Sequence, residues 1–217
     1  MKSIIDDGFS SYLVKGAEFV GKYQIPALKE ENILLPNGLV AFNERKKAID
    51  KEHKALHFYM HDIMFKQVLN STSRYLDEFK EFGYIITPDC SLYLDQPLCI
   101  QIINTYFNRA IGHYLQQNNL KVIPNVRWGD KRSFEFCFDG IPKNGIVSVS
   151  TLGCIRTQEE KYYFKLGFDR MIKIINPKAV IVHGDYPNEV FSEFEDKVKI
   201  VNFQSSTAIR RRKLYGK

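Results

Sequence analysis

Carboxylates, hydroxyls, one guanidinium and one imidazole stand at the ends of short apolar runs in this chain. Asp62 follows Leu56 to Met60, and Asp89 and Ser91 follow Tyr84 to Thr87. Asn125, Arg127 and Trp128 close Lys121 to Val126, Ser150 and Thr151 follow Ile146 to Val149, and His183 and Asp185 follow Ala179 to Val182. Residues two apart on an extended strand project to the same side, so His183 and Asp185 could reach one ion or one substrate. With Asp62 and Asp89 from neighbouring strand ends, they form a candidate acid/base centre or a site for a hard or borderline divalent metal. The structural alternative has His183 bonded to a backbone carbonyl and Asp185 capping a helix near Asn188.

Asp89 and Ser91 repeat the same spacing, pairing a base with a substrate-positioning donor; turn chemistry before Pro97 is the alternative. Asn125 and Arg127 share a face, and the planar donor fork of Arg127 suits a carboxylate or phosphate. Trp128, the only Trp, could wall a base or sugar ring, or else seal the sheet edge while Arg127 pairs with Asp130 or Asp62. Ser148, Ser150, Thr151 and Gly153 make a hydroxyl-rich edge ahead of a helix, where amides could cradle a phosphate. No GxSxG, GxxxxGK[ST] or GxGxxG occurs, so a nucleophile elbow, a Walker site and a dinucleotide fingerprint are unsupported. Of the adjacent His61 and Asp62, Asp62 is expected to face the cavity, and His57 is expected to be a satisfied sheet residue.

The elements that must position these groups alternate. Strands are expected at Leu56–Met60, 84–87, 121–126, 146–149, 179–182 and 199–203. Between them the spacing predicts a helix from about Met64 to Phe82, broken near 70–73, and a long helix from Pro97 to about Asn118 or Asn119. It also predicts a short helix capped by Ser133 and a helix opened by a Thr157/Glu160 capping box and stopped before Pro177. Six such units in about 150 residues imply an α/β fold with a mainly parallel sheet, arranged as a partial (β/α) barrel or an open twisted sheet. In parallel architectures the edge where strands end and helices begin carries the ligand, which would bring the polar clusters together. The reading divides the chain into an irregular arm or covering segment over 1–54, the α/β domain over 55–204 and a basic tail over 205–217.

Composition sets the outer limits. At 217 residues, 44% hydrophobic and 26% charged, the chain is ordinary for one globular domain. No long apolar run and no signal-peptide pattern are present, so a soluble intracellular protein with no membrane partner is expected. Cys90, Cys99, Cys137 and Cys154 lack zinc or disulfide spacing and read as isolated thiols. Part of the net charge of +6 lies in Arg210, Arg211, Arg212 and Lys213, which could neutralise phosphates of a nucleic acid or form a solvated terminus.

Several motifs in order resemble a phage and prophage family known as domain of unknown function 4417. They are His61-Asp62, Pro88-Asp89-Cys90-Ser91-Leu92-Tyr93, Asn108-Arg109-Ala110-Ile111-Gly112, Val122-Ile123-Pro124-Asn125-Val126-Arg127-Trp128, Phe138-Asp139-Gly140-Ile141-Pro142 and Val149-Ser150-Thr151-Leu152-Gly153. The resemblance covers roughly His61 to Gly184 and implies a mobile-element origin, hence the host cytoplasm. It carries no catalytic assignment. The reading preferred from the sequence is a small hydrolase or lyase acting on a phosphate-bearing or nucleoside-like substrate; the first alternative is a nucleic-acid binder using the basic tail, and another is a non-catalytic binder of a host nucleotide signal. The enzyme would use Asp62, Asp89, His183 and Asp185 as its centre and Arg127 as its anion clamp.

Overall fold

A computed structural model describes residues 10–205 and 208–209. Arg210, Arg211, Arg212 and Lys213, expected to meet nucleic acid, lie outside the described residues. The elements in order are β1 (Phe19–Val20), β2 (Ile25–Pro26), β3 (Gly38–Ala41), β4 (Lys54–His57), α1 (Lys66–Asn70), α2 (Leu76–Phe79), β5 (Tyr84–Ile86), α3 (Leu98–Gln117), β6 (Val122–Ile123), β7 (Ile146–Ser150), α4 (Gln158–Ile175), β8 (Ala179–His183), α5 (Asn188–Phe191) and β9 (Lys199–Phe203). Short 3-10 turns fill many of the connections.

The fold is α/β with parallel pairing throughout its main strands. One sheet runs β3-β4-β5-β6 and another β7-β8-β9. Beyond β6 the chain joins them, because Ser148 N–H donates to the Pro124 carbonyl at 2.9 Å and Val126 N–H to the Ser148 carbonyl at 2.8 Å. All six expected strands form, and β3 adds one from the N-terminal segment. The expected six strand and helix units do not: between β6 and β7 there is only a 3-10 turn over Lys131–Glu135, capped by Asp130. The long helix ends before Asn119, which takes φ of 63°, and the Thr157/Glu160 capping box opens α4 as expected.

Both sheet faces are buried along β7 and β8, which explains the continuous apolar run Ala179 to Val182 of β8, while β7 turns two serines, Ser148 and Ser150, inward. Alternation divides their side chains between two layers. Val147, Val149, Val180 and Val182 pack outward on Phe164, Phe168, Met171 and Ile175 of α4, while Leu56, Ile85 and Val122 meet Ala110, Ile111 and Leu115 of α3. Ala55, Ile86, Ile123, Ile146, Ala179 and Ile181 form a separate inner cluster, with Ile33, Leu35 and Leu39 of the N-terminal segment against it.

That inner cluster requires a curved sheet. In a flat sheet, β4 and β8 would lie about 19 Å apart, four interstrand spacings. Yet the rings of His57, at the end of β4, and His183, at the end of β8, are 4.6 Å apart. The strands therefore bend into an arc whose concave face holds the inner cluster. The arc is not a closed barrel: β3 and β9 are its unpaired edges among the described residues.

Candidate ligand site

At the strand C-terminal ends the inner face turns from apolar to polar. His57, Tyr59, Asn125, Ser148, Ser150 and His183 are all buried there. The Tyr59 ring stacks on His183 with centroids 4.8 Å apart, and its hydroxyl shares a 2.5 Å hydrogen bond with Ser148 Oγ and donates to Asn125 Oδ1 at 3.2 Å. Tyr59 N–H donates to His57 Nδ1 at 3.1 Å, which makes His57 the satisfied sheet residue expected. Both imidazoles are held neutral near pH 7. Burial, followed by the neighbouring His183, lowers His57 well below its usual range, and burial pushes His183 down to about 4.

Asn125 links this layer to Asp89, its side-chain N–H donating to Asp89 Oδ1 at 2.9 Å. Arg127 faces the same carboxylate, with Nη1 3.7 Å from Asp89 Oδ2. The shared-face reading of Asn125 and Arg127 thus converges on Asp89, and Arg127 pairs with neither Asp130 nor Asp62. At that separation the ion pair is too long for a hydrogen bond, and the buried Nη1 has no hydrogen-bond partner. Burial disfavours the guanidinium charge, but Asp89 and the smaller pulls of Cys154, Asp62 and Tyr59 outweigh it and hold the group firmly protonated. Asp130 is committed to Arg132 at 2.8 Å.

Asp62 lies one step further out. Its two carboxylate oxygens accept from Ser91 Oγ at 2.8 Å and Ser91 N–H at 3.1 Å, while His61 points to solvent. Ser91 is therefore bound to Asp62 rather than to its own neighbour Asp89. His183 and Asp185 are separated by Gly184, whose φ of +106° turns the chain at the end of β8. The two-residue rule holds only while the strand continues, so His183 faces the inner layer and Asp185 is exposed. Asp185 is no helix cap either: α5 opens at Pro187 without a side-chain cap, and Asp185 contributes its carbonyl to Thr151 Oγ1 at 2.9 Å.

The proposed metal quartet of Asp62, Asp89, His183 and Asp185 is thus not brought together. Among the described residues the one grouping of metal-type side chains with mutually close ligand atoms is Asp50, Glu52 and His53, all exposed. The phosphate cradle ahead of α4 is also occupied from within. Glu160 accepts from Arg156 N–H at 2.6 Å and Thr157 N–H at 2.9 Å, and Thr157 Oγ1 accepts from Glu160 N–H. Ser150 Oγ meets His183 Nδ1 at 3.3 Å and accepts from Leu152 N–H at 3.2 Å.

Beside the Asp89 and Arg127 pair opens a pocket of about 540 Å³ counted to its mouth. Its walls include Leu92, Tyr93, Trp128, Tyr163 and Phe164, and its polar groups include Arg127, Ser150, Cys154 and Glu160. Apolar and polar groups both line it, the mixture that small-molecule sites use. Trp128 is fixed as a wall: its indole N–H donates to the Tyr163 carbonyl at 3.1 Å. A Cβ at Gly167 would sit no more than 2.5 Å from Trp128 Nε1, Cε2 and Cδ1, so glycine makes the space. Burial raises the Cys154 thiol, leaving it uncharged near neutral pH. All four cysteines are free.

Several residues here escaped sequence reasoning. Glu160, Tyr163, Phe164 and Gly167 lie at i, i+3, i+4 and i+7, one face of α4, so a helix stripe holding a Glu and a Gly was the available signal. Arg109 is 1% exposed inside α3. It donates to the carbonyls of Asp139 at 3.0 Å, Cys137 at 2.7 Å and Asn125 at 3.2 Å, and also to Asn108 Oδ1. It ties α3 to the segment that carries Asn125 and Arg127.

The family model for the domain of unknown function 4417 matches residues 17–204 of the chain. The Gene 1 protein of Mycobacterium phage L5 is 33% identical over 164 residues, which is 75% of this chain and 71% of that protein. The Gene 1 protein of Mycobacterium phage D29 is 30% identical over 164 residues, 75% of this chain and 60% of that protein. No solved structure matches the chain.

Proposed function

The chain belongs to the domain of unknown function 4417 family and is similar to mycobacteriophage Gene 1 proteins, and from that premise and the site geometry we propose that it binds a small nucleoside-like or phosphate-bearing molecule. The observation that carries this reading is Arg127: a buried guanidinium with an unpartnered Nη1, lining a pocket with aromatic walls. Asp89 keeps this buried guanidinium protonated, so Arg127 gives the pocket lining a permanent cation. Asp89, Asn125 and Tyr59 then position Arg127 rather than react.

Turnover by a hydrolase or lyase mechanism is the second reading, favoured by Ser150 Oγ standing 3.3 Å from His183 Nδ1 at the pocket wall. It is secondary because the imidazole, pushed down to about 4, is a weak base at neutral pH, and the carboxylates do not surround one atom.

The only Trp of the chain lies in the pocket wall, so its emission reports occupancy. Titration with a panel of nucleosides, nucleotides and sugar phosphates should change Trp128 emission for at least one member. Arg127→Met should abolish that change, and Tyr93→Ala, at a 55% exposed rim position, should weaken it without loss of folding. A panel that leaves wild-type emission and melting temperature unmoved, or binding that survives Arg127→Met, would overturn the proposal.

A further inference from the structure

We infer that the end of the arc opposite the pocket, where β6 to β9 begin, docks on the phosphate backbone of duplex nucleic acid through Lys121, Lys143, Lys178 and Lys199. The surface is independent of the ligand reading above. Lys121 immediately precedes β6, Lys143 lies in the turn ahead of β7, Lys178 immediately precedes β8, and Lys199 opens β9. Strand pairing brings them side by side. Lys178 N–H donates to the Gly145 carbonyl at 2.8 Å and Asn176 Nδ2 to Asn144 Oδ1 at 2.8 Å, which clasps the turn bearing Lys143 to the turn bearing Lys178. Ala179, the next residue, is level with Lys199. Counting back along both strands from the Asn125 and Ser148 bridge sets Lys121 beside Asn144. Asn119, Asn144 and Asn176 take φ of 63°, 59° and 49°, a left-handed conformation that asparagine tolerates and that redirects the chain as it enters a strand. Each of these turns therefore presents an exposed asparagine and an exposed lysine at one edge.

The second ground is that these charges are uncommitted. Lys51, Lys80, Lys161, Lys165 and Lys173 each meet a carboxylate at 2.5–3.2 Å. Among the described residues, Lys121, Lys143, Lys178 and Lys199 form no ion pair. Glu31 reaches this edge, but its carboxylate accepts the Val122 N–H at 2.8 Å instead of a lysine. In the turn ahead of β9, Lys197 offsets the exposed Asp196. Four cations left without internal partners are free to replace the counterions of a polyanion.

The third ground is shape and surroundings. Three interstrand spacings take β6 to β9, about 14 Å, which is the length of about four base pairs of duplex. Single strands are gripped by aromatic faces as well as by cations, and the turns 118–121, 143–145, 176–178 and 197–199 hold no aromatic residue. A lipid surface takes up apolar side chains beside the cations, whereas Leu120 and Val198 of these turns are buried. A duplex backbone asks only for the charges and the amides.

The test is fluorescence anisotropy of a labelled duplex of about 20 base pairs, titrated with the full chain at several salt concentrations. Binding should be indifferent to base sequence, and four phosphate contacts should contribute about −3.6 to the slope of log affinity against log salt. Lys143→Gln or Lys199→Gln alone should weaken binding several-fold at about 0.1 M salt and lessen the slope by about 0.9, and all four changes together should remove about 3 or more of it. The basic tail is present in every protein compared, so its contribution cancels. Each substituted side chain is exposed, so the melting temperature should stay within about 2 °C of wild type. Should the fourfold variant fail to fold, the two single variants carry the test. Four results overturn the proposal: no binding by wild type at low salt, an unaltered slope in both single variants, tighter binding of a single strand of the same length, or tighter binding of phosphatidylserine vesicles than of the duplex.

Discussion

Gly167→Ala isolates the packing that makes the pocket wall. In an exposed helix interior this change would stabilise by about 1 kcal/mol, because glycine is the poorer helix former. Here the new methyl would lie within 2.5 Å of three atoms of the Trp128 indole, against ordinary contact at 3.4–4 Å. Roughly 1 Å of displacement is therefore needed, and overpacking of that kind costs about 1–3 kcal/mol. The indole is also held by its bond to the Tyr163 carbonyl, so a shift endangers about another 1 kcal/mol. The net expectation is destabilisation by about 1–3 kcal/mol, or a melting temperature lower by roughly 2–10 °C for a domain of this size. Trp128 emission should move as the ring leaves its place, and ligand response should fall with it. Thermal melts and emission spectra of wild type and variant, read together, decide the matter. A variant that is more stable by about 1 kcal/mol with unchanged emission would refute the claim that Gly167 exists to admit Trp128.

Four other outcomes follow from the same geometry. Asp89→Asn removes the carboxylate facing a buried guanidinium and should cost about 2–5 kcal/mol in urea unfolding, whereas Asp185→Asn, at an exposed position, should stay within about 0.5 kcal/mol. Tyr59→Phe leaves Ser148 and Asn125 without their shared hydroxyl and should cost about 1–3 kcal/mol by the same measurement. Arg109→Lys strips most donors from three buried carbonyls and should cost at least about 3 kcal/mol. Because His183 binds its proton at about 4 when folded and near 6.5 when unfolded, the unfolded chain takes up more protons in between; stability should fall as pH drops from 6.5 towards 4, by about 3 kcal/mol for this residue, and His183→Gln should flatten that part of the profile.

Sequence by itself determined the rhythm of this protein. Each apolar run from Leu56 to Phe203 became a parallel strand, the Thr157/Glu160 box opened a helix, and Asn119 closed another, because alternation, capping and left-handed turns are decided over a few neighbouring residues. It also put Asn125 and Arg127 on one face. Local rules failed where a strand stopped. His183 and Asp185 parted because Gly184 turns the chain, and Ser91 went to Asp62 instead of sharing a role with Asp89. The packing of Arg109, the stack of His57, Tyr59 and His183, and the helix face that lends Glu160 and Tyr163 to the pocket depend on how far the sheet bends. That curvature is set by the sum of side-chain volumes inside the arc and by the N-terminal segment packed against it, so it belongs to no single stretch of sequence and only the tertiary structure decided it.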